Sequence, residues 1–446
     1  MRSLARIAIL ALVALMESRA AASPVDTIGL GSRSIGRAGA VTADVEDSSA
    51  NYYNPAGLAR SQGLRLDFGY VRLHSDLSIN GEDSNVEPLG AIQVGLVAPG
   101  QFGKFRFAFG LALLLNDQRM SRTRTAIADR PRWELYDTRM HKVFLATNLA
   151  IRPFDWLVLG GGITFQAPSD LALRLEGTAG LLPSAARAEH MFTGDLKSIR
   201  YPQVGLQLLP HERLSIGLSY RGKFLLQNTV RADADVGLAG FADLGLVLDL
   251  LSVSRSHYGP HQVTAGFAYA HGPLRASFDL TWMDWSKHPS LISDDTIDLD
   301  LVDPSGVAAG LGIVIPEEIR GNRAIPMGMK DTFVPRFSLE GRVFDGELAE
   351  VRVRGGYVFE RSPFPAQRGL TNFVDNDRHT IVVGGEVTFD RLEPLIRGSV
   401  DLAFHFFYAH LPERLHEKIS LVDPVGDLVS RGHQLGFGTQ LTVSFR

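Results

Sequence analysis

No cysteine occurs among the 446 residues. That excludes a disulfide scaffold, a cysteine-ligated zinc or iron–sulfur site and a thiol nucleophile, so stability rests on packing and hydrogen bonding. An excess of positive charge is also missing. The 45 basic and 49 acidic side chains leave a formal net charge of −4 and a pI near 6.4, which gives no global field to hold nucleic acid. Beyond the first two dozen residues there is no stretch of about 18 predominantly apolar residues, the length that crosses a bilayer as a helix. The longer uncharged runs, 89–103 and 258–274, are broken by Gly, Pro, Gln or His. GxSxG, HExxH and GxxxxGK[ST] motifs are absent as well.

What is present is glycine, 45 of 446 residues, in a chain that is 45% hydrophobic with a mean hydropathy of +0.03. Such a chain is neither disordered nor a helical membrane bundle. Residues 1–22 read as a secretory signal peptide: Arg2 and Arg6 supply the positive start, Ile7 to Met16 the apolar core and Ala20-Ala21-Ala22 the cleavage site.

From Leu64 onward the pattern has period two, as in strands whose faces meet different surroundings. Val400, Leu402, Phe404, Phe406 and Tyr408 alternate with Asp401, Ala403 and His405, and Phe278, Leu280 and Trp282 with Ser277, Asp279 and Thr281. Fourteen strands are expected, at 64–76, 90–99, 103–114, 136–152, 155–168, 199–209, 212–232, 258–270, 273–286, 330–344, 348–361, 379–389, 396–410 and 431–446. Connections of a few residues, at 100–102, 153–154, 210–211, 271–272 and 345–347, alternate with longer ones. Short turns on one side and long loops on the other predict an all-β transmembrane antiparallel barrel, residues 64–446, of the outer-membrane kind with its turns in the periplasm. A barrel this wide leaks unless filled, which makes residues 23–63 the expected plug, a hatch inside the lumen. Within it, Asn54-Pro55-Ala56-Gly57 is a turn signal, because Pro55 fixes its own φ and pushes Asn54 toward extended conformations.

Gly29-Leu30-Gly31-Ser32-Arg33-Ser34-Ile35-Gly36, followed by Asn51-Tyr52-Tyr53-Asn54-Pro55-Ala56-Gly57-Leu58, resembles the hatch of the FadL/TodX family of outer-membrane transporters. Leu214-Ser215-Ile216-Gly217-Leu218-Ser219-Tyr220-Arg221, Trp282-Met283-Asp284-Trp285-Ser286 and Val353-Arg354-Gly355-Gly356-Tyr357 are similar to its strands, in the expected order. The resemblance covers nearly all of the mature chain. Two departures are Arg446 in place of a terminal aromatic and a longer 287–329 connection. The resemblance implies passive uptake of long-chain fatty acids, aromatic hydrocarbons or similar molecules across a Gram-negative outer membrane. Cargo would be caught on a loop groove, bound in the lumen, passed by hatch movement and released sideways beside an inward-kinked third strand. By position, Asn54, Pro55 and Ala56 carry the hatch motif, and Gly110 is the expected kink of the third strand.

The groove is expected in 236–253, a loop rich in Leu238, Phe241, Leu244, Leu246, Leu248, Leu250 and Leu251, with Leu181, Leu182 and Phe192 as secondary contributors. Packing of this segment on its own barrel rim is the equal alternative. Arg352 and Arg354 are candidates for a carboxylate head group; lumen salt bridges that hold strands and plug together are the more economical reading of both. Expected partners are hydrophobic small molecules, membrane lipid and lipopolysaccharide, with no nucleic acid, no cofactor and no metal, in a monomer. A general porin, a loop-based adhesin and an outer-membrane lipid-modifying enzyme are the alternatives. For the last, His405, His416 and the acidic run Asp294, Asp295, Asp298, Asp300 and Asp303 were weighed and read as structural or solvated.

Overall fold

The computed structural model describes residues 25–118, 130–137, 143–166, 169–180, 187–196, 199–239, 245–302, 310, 318–320, 323–390, 392 and 397–445. Fourteen barrel strands follow one another in chain order: β1 Leu64–Ile79, β2 Leu89–Phe102, β3 Phe105–Asn116, β4 Phe144–Phe154, β5 Leu157–Gln166, β6 Ile199–His211 and β7 Leu214–Arg221. They continue as β8 Gln262–His271, β9 Leu274–Met283, β10 Thr332–Asp345, β11 Glu350–Glu360, β12 Arg378–Phe389, β13 Gly398–His416 and β14 Leu428–Phe445. Each pairs antiparallel with its sequence neighbours. The ring closes because β1 pairs on one side with β14, from Leu64↔Phe445 to Ile79↔Ser430, and on the other with β2, from Arg65↔Val97 to Leu73↔Leu89.

Alternation places every side chain. Leu402, Phe404, Phe406 and Tyr408 on β13 are exposed on the outside, while Ala403, His405, Phe407 and Ala409 are buried in the lumen. On β9, Phe278 and Leu280 face out and Ser277, Asp279 and Thr281 face in. At the short-turn end, exposed Phe102, Phe105, Phe154, Trp156 and Phe344 form an aromatic belt, as expected where a barrel meets the membrane interface. Two of the tight turns there need a left-handed residue and have glycine, Gly103 at φ 60° and Gly272 at φ 58°.

Where the structure departs from the sequence reading, the chain has changed sheets. The strand expected at 212–232 ends at Arg221, and after Gly222 and Lys223 the chain enters Phe224–Ala239, part of a separate six-stranded sheet beyond the loop end. That sheet runs Glu318–Arg320, Asp294–Val302, Gly245–Gly259, Phe224–Ala239, Ser169–Gly180, Arg187–Leu196, with one parallel pair between Phe224–Ala239 and Ser169–Gly180. Alternation survives the change while the neighbours do not. The described residues of the 236–253 segment, 236–239 and 245–253, are therefore no open loop: Val236↔Leu246 and Arg231↔Leu251 are rungs of a long antiparallel ladder. The fourth strand, expected from residue 136, begins at Phe144, and a helical turn, Glu134–Asp137, covers the positions where it was expected to open. The acidic run lies on the strand Asp294–Val302 and not in a loop; Asp303 falls outside the described residues.

Residues 25–60 lie inside the barrel as α1 Val25–Ile28, α2 Ser32–Ile35, α3 Ala50–Tyr53 and a 3-10 turn Pro55–Arg60. Val41, Ala50, Ala56 and Leu58 of this hatch pack with Val97, Ala108, Ala150 and Val158 of the wall in one apolar cluster.

Candidate functional site

The short helices and turns of the hatch satisfy many of its backbone N–H groups internally, and at Gly31, Ser32, Val41, Thr42 and Ser48 the wall supplies a further acceptor. Gln93 on β2 accepts from Gly31 N at 2.8 Å, and Gln440 on β14 from Ser32 N at 2.7 Å. Asp67 on β1 accepts from Ser48 N at 3.2 Å, and Asp279 on β9 from Val41 N and Thr42 N at 3.1 and 3.0 Å. Asn54 has φ −159° and ψ 104°, extended as its proline neighbour requires. Its Oδ1 accepts from Ala56 N at 3.1 Å, and its Nδ2 donates to Thr42 O at 2.7 Å and to Leu206 O of β6 at 3.0 Å. One amide thus closes the Asn-Pro-Ala turn and ties it to hatch and wall at once.

The wall meets the hatch with bare backbone. A Cβ on Gly95, Gly110, Gly160, Gly205, Gly217 or Gly356 would fall between 1.9 and 2.6 Å from a hatch atom. Gly205 and Gly160 receive Asn54 and Pro55, and Gly110 receives Asn51 and Leu58. At Gly110, the position expected to kink, β3 has no bulge and runs in unbroken register with β2, as Val97↔Gly110, and with β4, as Gly110↔Asn148. A glycine inside a strand marks a bulge or a close approach, and here it is the approach.

Arg352 and Arg354 face inward but are committed. The Arg354 side chain is fully buried and pairs with Glu340 and Glu386, each at 3.0 Å; Arg352 pairs with Glu350 at 2.6 Å and approaches Glu386 at 3.8 Å. Hatch residues join the network through Arg33 to Glu386 at 3.8 Å and through Asp44 to Arg275 at 3.3 Å, which in turn meets Glu340 at 3.6 Å. These cations hold the hatch to β10–β12. His405 points into the lumen and stacks on Phe407 at 6.4 Å, and His416 accepts from Gln367 N at 3.0 Å and meets Ser430 Oγ at 3.1 Å. Of the expected groove, Phe241, Leu244, Leu181 and Leu182 lie outside the described residues, and Leu238, Leu246, Leu248 and Phe192 are placed as backbone in the outer sheet.

The space the hatch leaves is a lumen cavity of about 770 Å³, counted with the space that opens to solvent, between its loop-end face and the wall of β7–β13. Asp26, Tyr52, Arg221, Gln262, Arg336 and Phe407 are among its lining residues. Asp26 accepts from Tyr52 Oη at 2.6 Å, Arg221 Nη1 at 2.8 Å and Gln262 Nε2 at 3.2 Å. The Arg221 guanidinium lies over the Tyr52 ring at 3.8 Å. Arg336 donates to Thr281 Oγ1 at 2.6 Å, and among the described residues it has no ion pair. Sequence reasoning singled out neither Asp26 nor Arg336, although Arg336 shares the inward parity of Val334 and Ser338 and could have been found by it.

Asp375, in the connection between β11 and β12, carries a testable consequence of burial. Burial raises its pKa from the ordinary 3.8 to about 6, against the opposing pull of Ser362, Arg378 and Arg414. The folded state therefore holds this proton more tightly than the unfolded chain, and stability is lost as pH rises through about 6, by at most about 3 kcal/mol. We expect the melting temperature in detergent to fall between about pH 4 and pH 6 and to level off above, and Asp375→Asn to flatten that fall; parallel pH profiles for both proteins would refute the assignment.

No family model matches the chain. Along its length it is similar to alkane uptake protein A of Marinobacter nauticus, 23% identical over 403 residues, which is 86% of this chain and 82% of that protein. In fold it is similar to a FadL homologue of Pseudomonas aeruginosa, with a TM-score of 0.59 and 14% identity over 93% of this chain and 98% of the other. It is also similar to the monoaromatic hydrocarbon channel CymD, with a TM-score of 0.54 and 16% identity over 94% of this chain and 98% of the other. A fourteen-stranded barrel with a hatch seated inside it, and a likeness that runs along nearly the whole chain, give the protein the fold of these FadL-like outer-membrane channels.

Proposed function

We propose that this protein carries hydrophobic molecules inward across the outer membrane without energy coupling, and that the cavity above the hatch holds the cargo in transit. The observation that carries this reading is a lumen closed by a tightly seated hatch with a cavity on its loop-end side. Open pores for polar solutes have no use for such a stopper, whereas an alkyl chain gains about 0.8 kcal/mol for each CH₂ it buries and needs a sheltered path. The similarity to an alkane uptake protein and to a monoaromatic hydrocarbon channel supports an uncharged or weakly polar cargo.

For cargo with a carboxylate, Arg336 takes the place first considered for Arg352 and Arg354, because it lines the cavity and has no ion pair among the described residues. Capture on the apolar outer sheet and release beside β3 complete the reading. With the β3 ladders unbroken, release there requires hatch movement: withdrawal of Asn51 and Leu58 from Gly110 would unload the strand. Uptake of hexadecane, toluene and oleate into proteoliposomes tests the proposal. Uptake of at least one is expected, with Arg336→Met lowering oleate affinity about tenfold or more and leaving the hydrocarbons unchanged. A barrel that takes up none of them but passes ions would be a porin.

A further inference from the structure

Two more cavities continue from the lumen cavity toward the loop end. A middle cavity of about 530 Å³ shares Asp26, Thr27, Glu360 and Arg378 with the lumen cavity. A rim cavity of about 1150 Å³, counted with the space that opens to solvent, shares Arg361, Ser362, Pro363 and Asn376 with the middle one. The three stand in series along β10–β13. Among the described residues, the Asp26–Thr27 end of the hatch and the Glu360–Arg378 ion pair, in which Arg378 Nε donates to Glu360 at 2.6 Å, border both of the inner two.

The rim cavity has braced walls. Arg414 donates to Ser362 Oγ at 3.1 Å, to Asp375 O at 2.7 Å and to Phe364 O at 2.9 Å. Asn376 donates to Pro412 O at 2.6 Å, and Lys330 N to Pro363 O at 3.0 Å. Its carboxylates are occupied: Asp331 accepts from Ser286 N at 2.9 Å, Asp377 from Ser362 N at 2.8 Å, and Glu413 pairs with Arg431 at 3.4 Å. Two of its cations, Lys330 and Arg361, have no ion pair among the described residues, and Arg361 borders both the rim and the middle cavity. Beside them lie the apolar Pro363, Phe364 and Pro412. A chamber with committed acids, uncommitted cations and apolar wall suits an anionic head joined to an alkyl chain.

We propose that the rim cavity is an antechamber for the anionic head of a long-chain amphiphile, and that Glu360–Arg378 with Asp26–Thr27 is the partition this ligand displaces to reach the lumen. The inference rests on the uptake reading and adds a route to it on the β10–β13 side, away from the leucine-rich outer sheet.

The absence of cysteine makes the test clean. Thr380, which lines the lumen cavity, is replaced by cysteine, and its modification by a sulfonated methanethiosulfonate added from outside is timed in the intact barrel. Arg378→Glu should speed modification about tenfold by setting two carboxylates against each other, and the exchanged pair Glu360→Arg/Arg378→Glu should restore the slow rate, which also shows that the barrel has folded. Oleate should slow modification in the wild-type background, and Arg361→Glu should abolish that protection while protection by hexadecane stays. Rates indifferent to the Arg378→Glu and exchanged-pair variants, or oleate protection that survives Arg361→Glu, would overturn the route even if proteoliposomes take up cargo normally. Failure of uptake with the expected labelling pattern would remove the transport reading and leave the partition standing.

Discussion

Gly205→Val is expected to give a barrel that assembles and leaks. A Cβ at this position would lie 1.9 Å from Asn54 Oδ1, so the side chain that closes the Asn-Pro-Ala turn must leave. In leaving it gives up its bonds to Leu206 O and to Thr42 O, of which Thr42 O keeps Gln207 Nε2 at 3.2 Å, and a buried amide left unpaired costs about 1–3 kcal/mol, before any cost of overpacking, another 1–3 kcal/mol. No neighbouring rotamer offers relief, because Gly160 on the adjacent strand already meets Pro55 backbone. The barrel ladder itself tolerates valine, a good strand former. Folded protein should therefore still show heat-modifiable migration on a gel, while planar bilayers should show ion conductance that the wild type lacks. Gly161→Val is the control, since its Cβ would find nothing closer than 3.3 Å. Equal conductance in Gly205→Val and wild type would mean that the hatch is not held through Asn54.

The second large effect separates two arginines that look alike in the sequence. Arg354→Ala takes from Glu340 and Glu386 their shortest ion pairs, leaving, among the described residues, Glu340 only Arg275 at 3.6 Å and Glu386 only Arg33 and Arg352 at 3.8 Å, and breaking such a buried network by removing one partner costs about 3–5 kcal/mol. Arg352, whose side chain is 32% exposed, should cost no more than about 1 kcal/mol on the same substitution. Neither change should alter cargo affinity, because both residues lie away from the lumen cavity. Unfolding in urea with the protein in detergent measures the first pair of expectations, and ligand titration the second. Restoration by Arg354→Met combined with Glu340→Gln and Glu386→Gln would confirm that the cost is stranded charge. If instead Arg354→Ala left stability intact and selectively weakened oleate binding, the head-group role would return to it.

These two cases mark what the sequence discloses and what it hides. The parity that sends Phe404 and Phe406 to lipid and His405 to the lumen is written in the chain, because a strand has only two faces. Parity also sends Arg336, Arg352 and Arg354 inward, but which of them meets a carboxylate depends on the register of neighbouring strands, and Glu386 comes from another strand altogether. Alternation likewise runs on past Arg221 without announcing that the partner is now Gly245–Gly259 and no longer a barrel strand. Gly110 carries the same ambiguity: a missing side chain tells of a special position, while only the fold tells that the room is for Leu58. The Asn-Pro-Ala turn was legible as a turn; its tether to Leu206 was not, since 152 residues separate the two ends.

The hatch, finally, owes its shape to its container. Its helices are one turn long, five of its backbone donors end on side chains of β1, β2, β9 and β14, and apolar residues of its own find their neighbours in the wall. Helices that short do not persist alone in water. For residues 25–60, folding and binding are then a single event with a single free energy, so a peptide of this stretch would be a disordered ligand and an empty barrel its receptor. During biogenesis the plug would be the last part of the molecule to acquire a structure, and the wall would act as its mould.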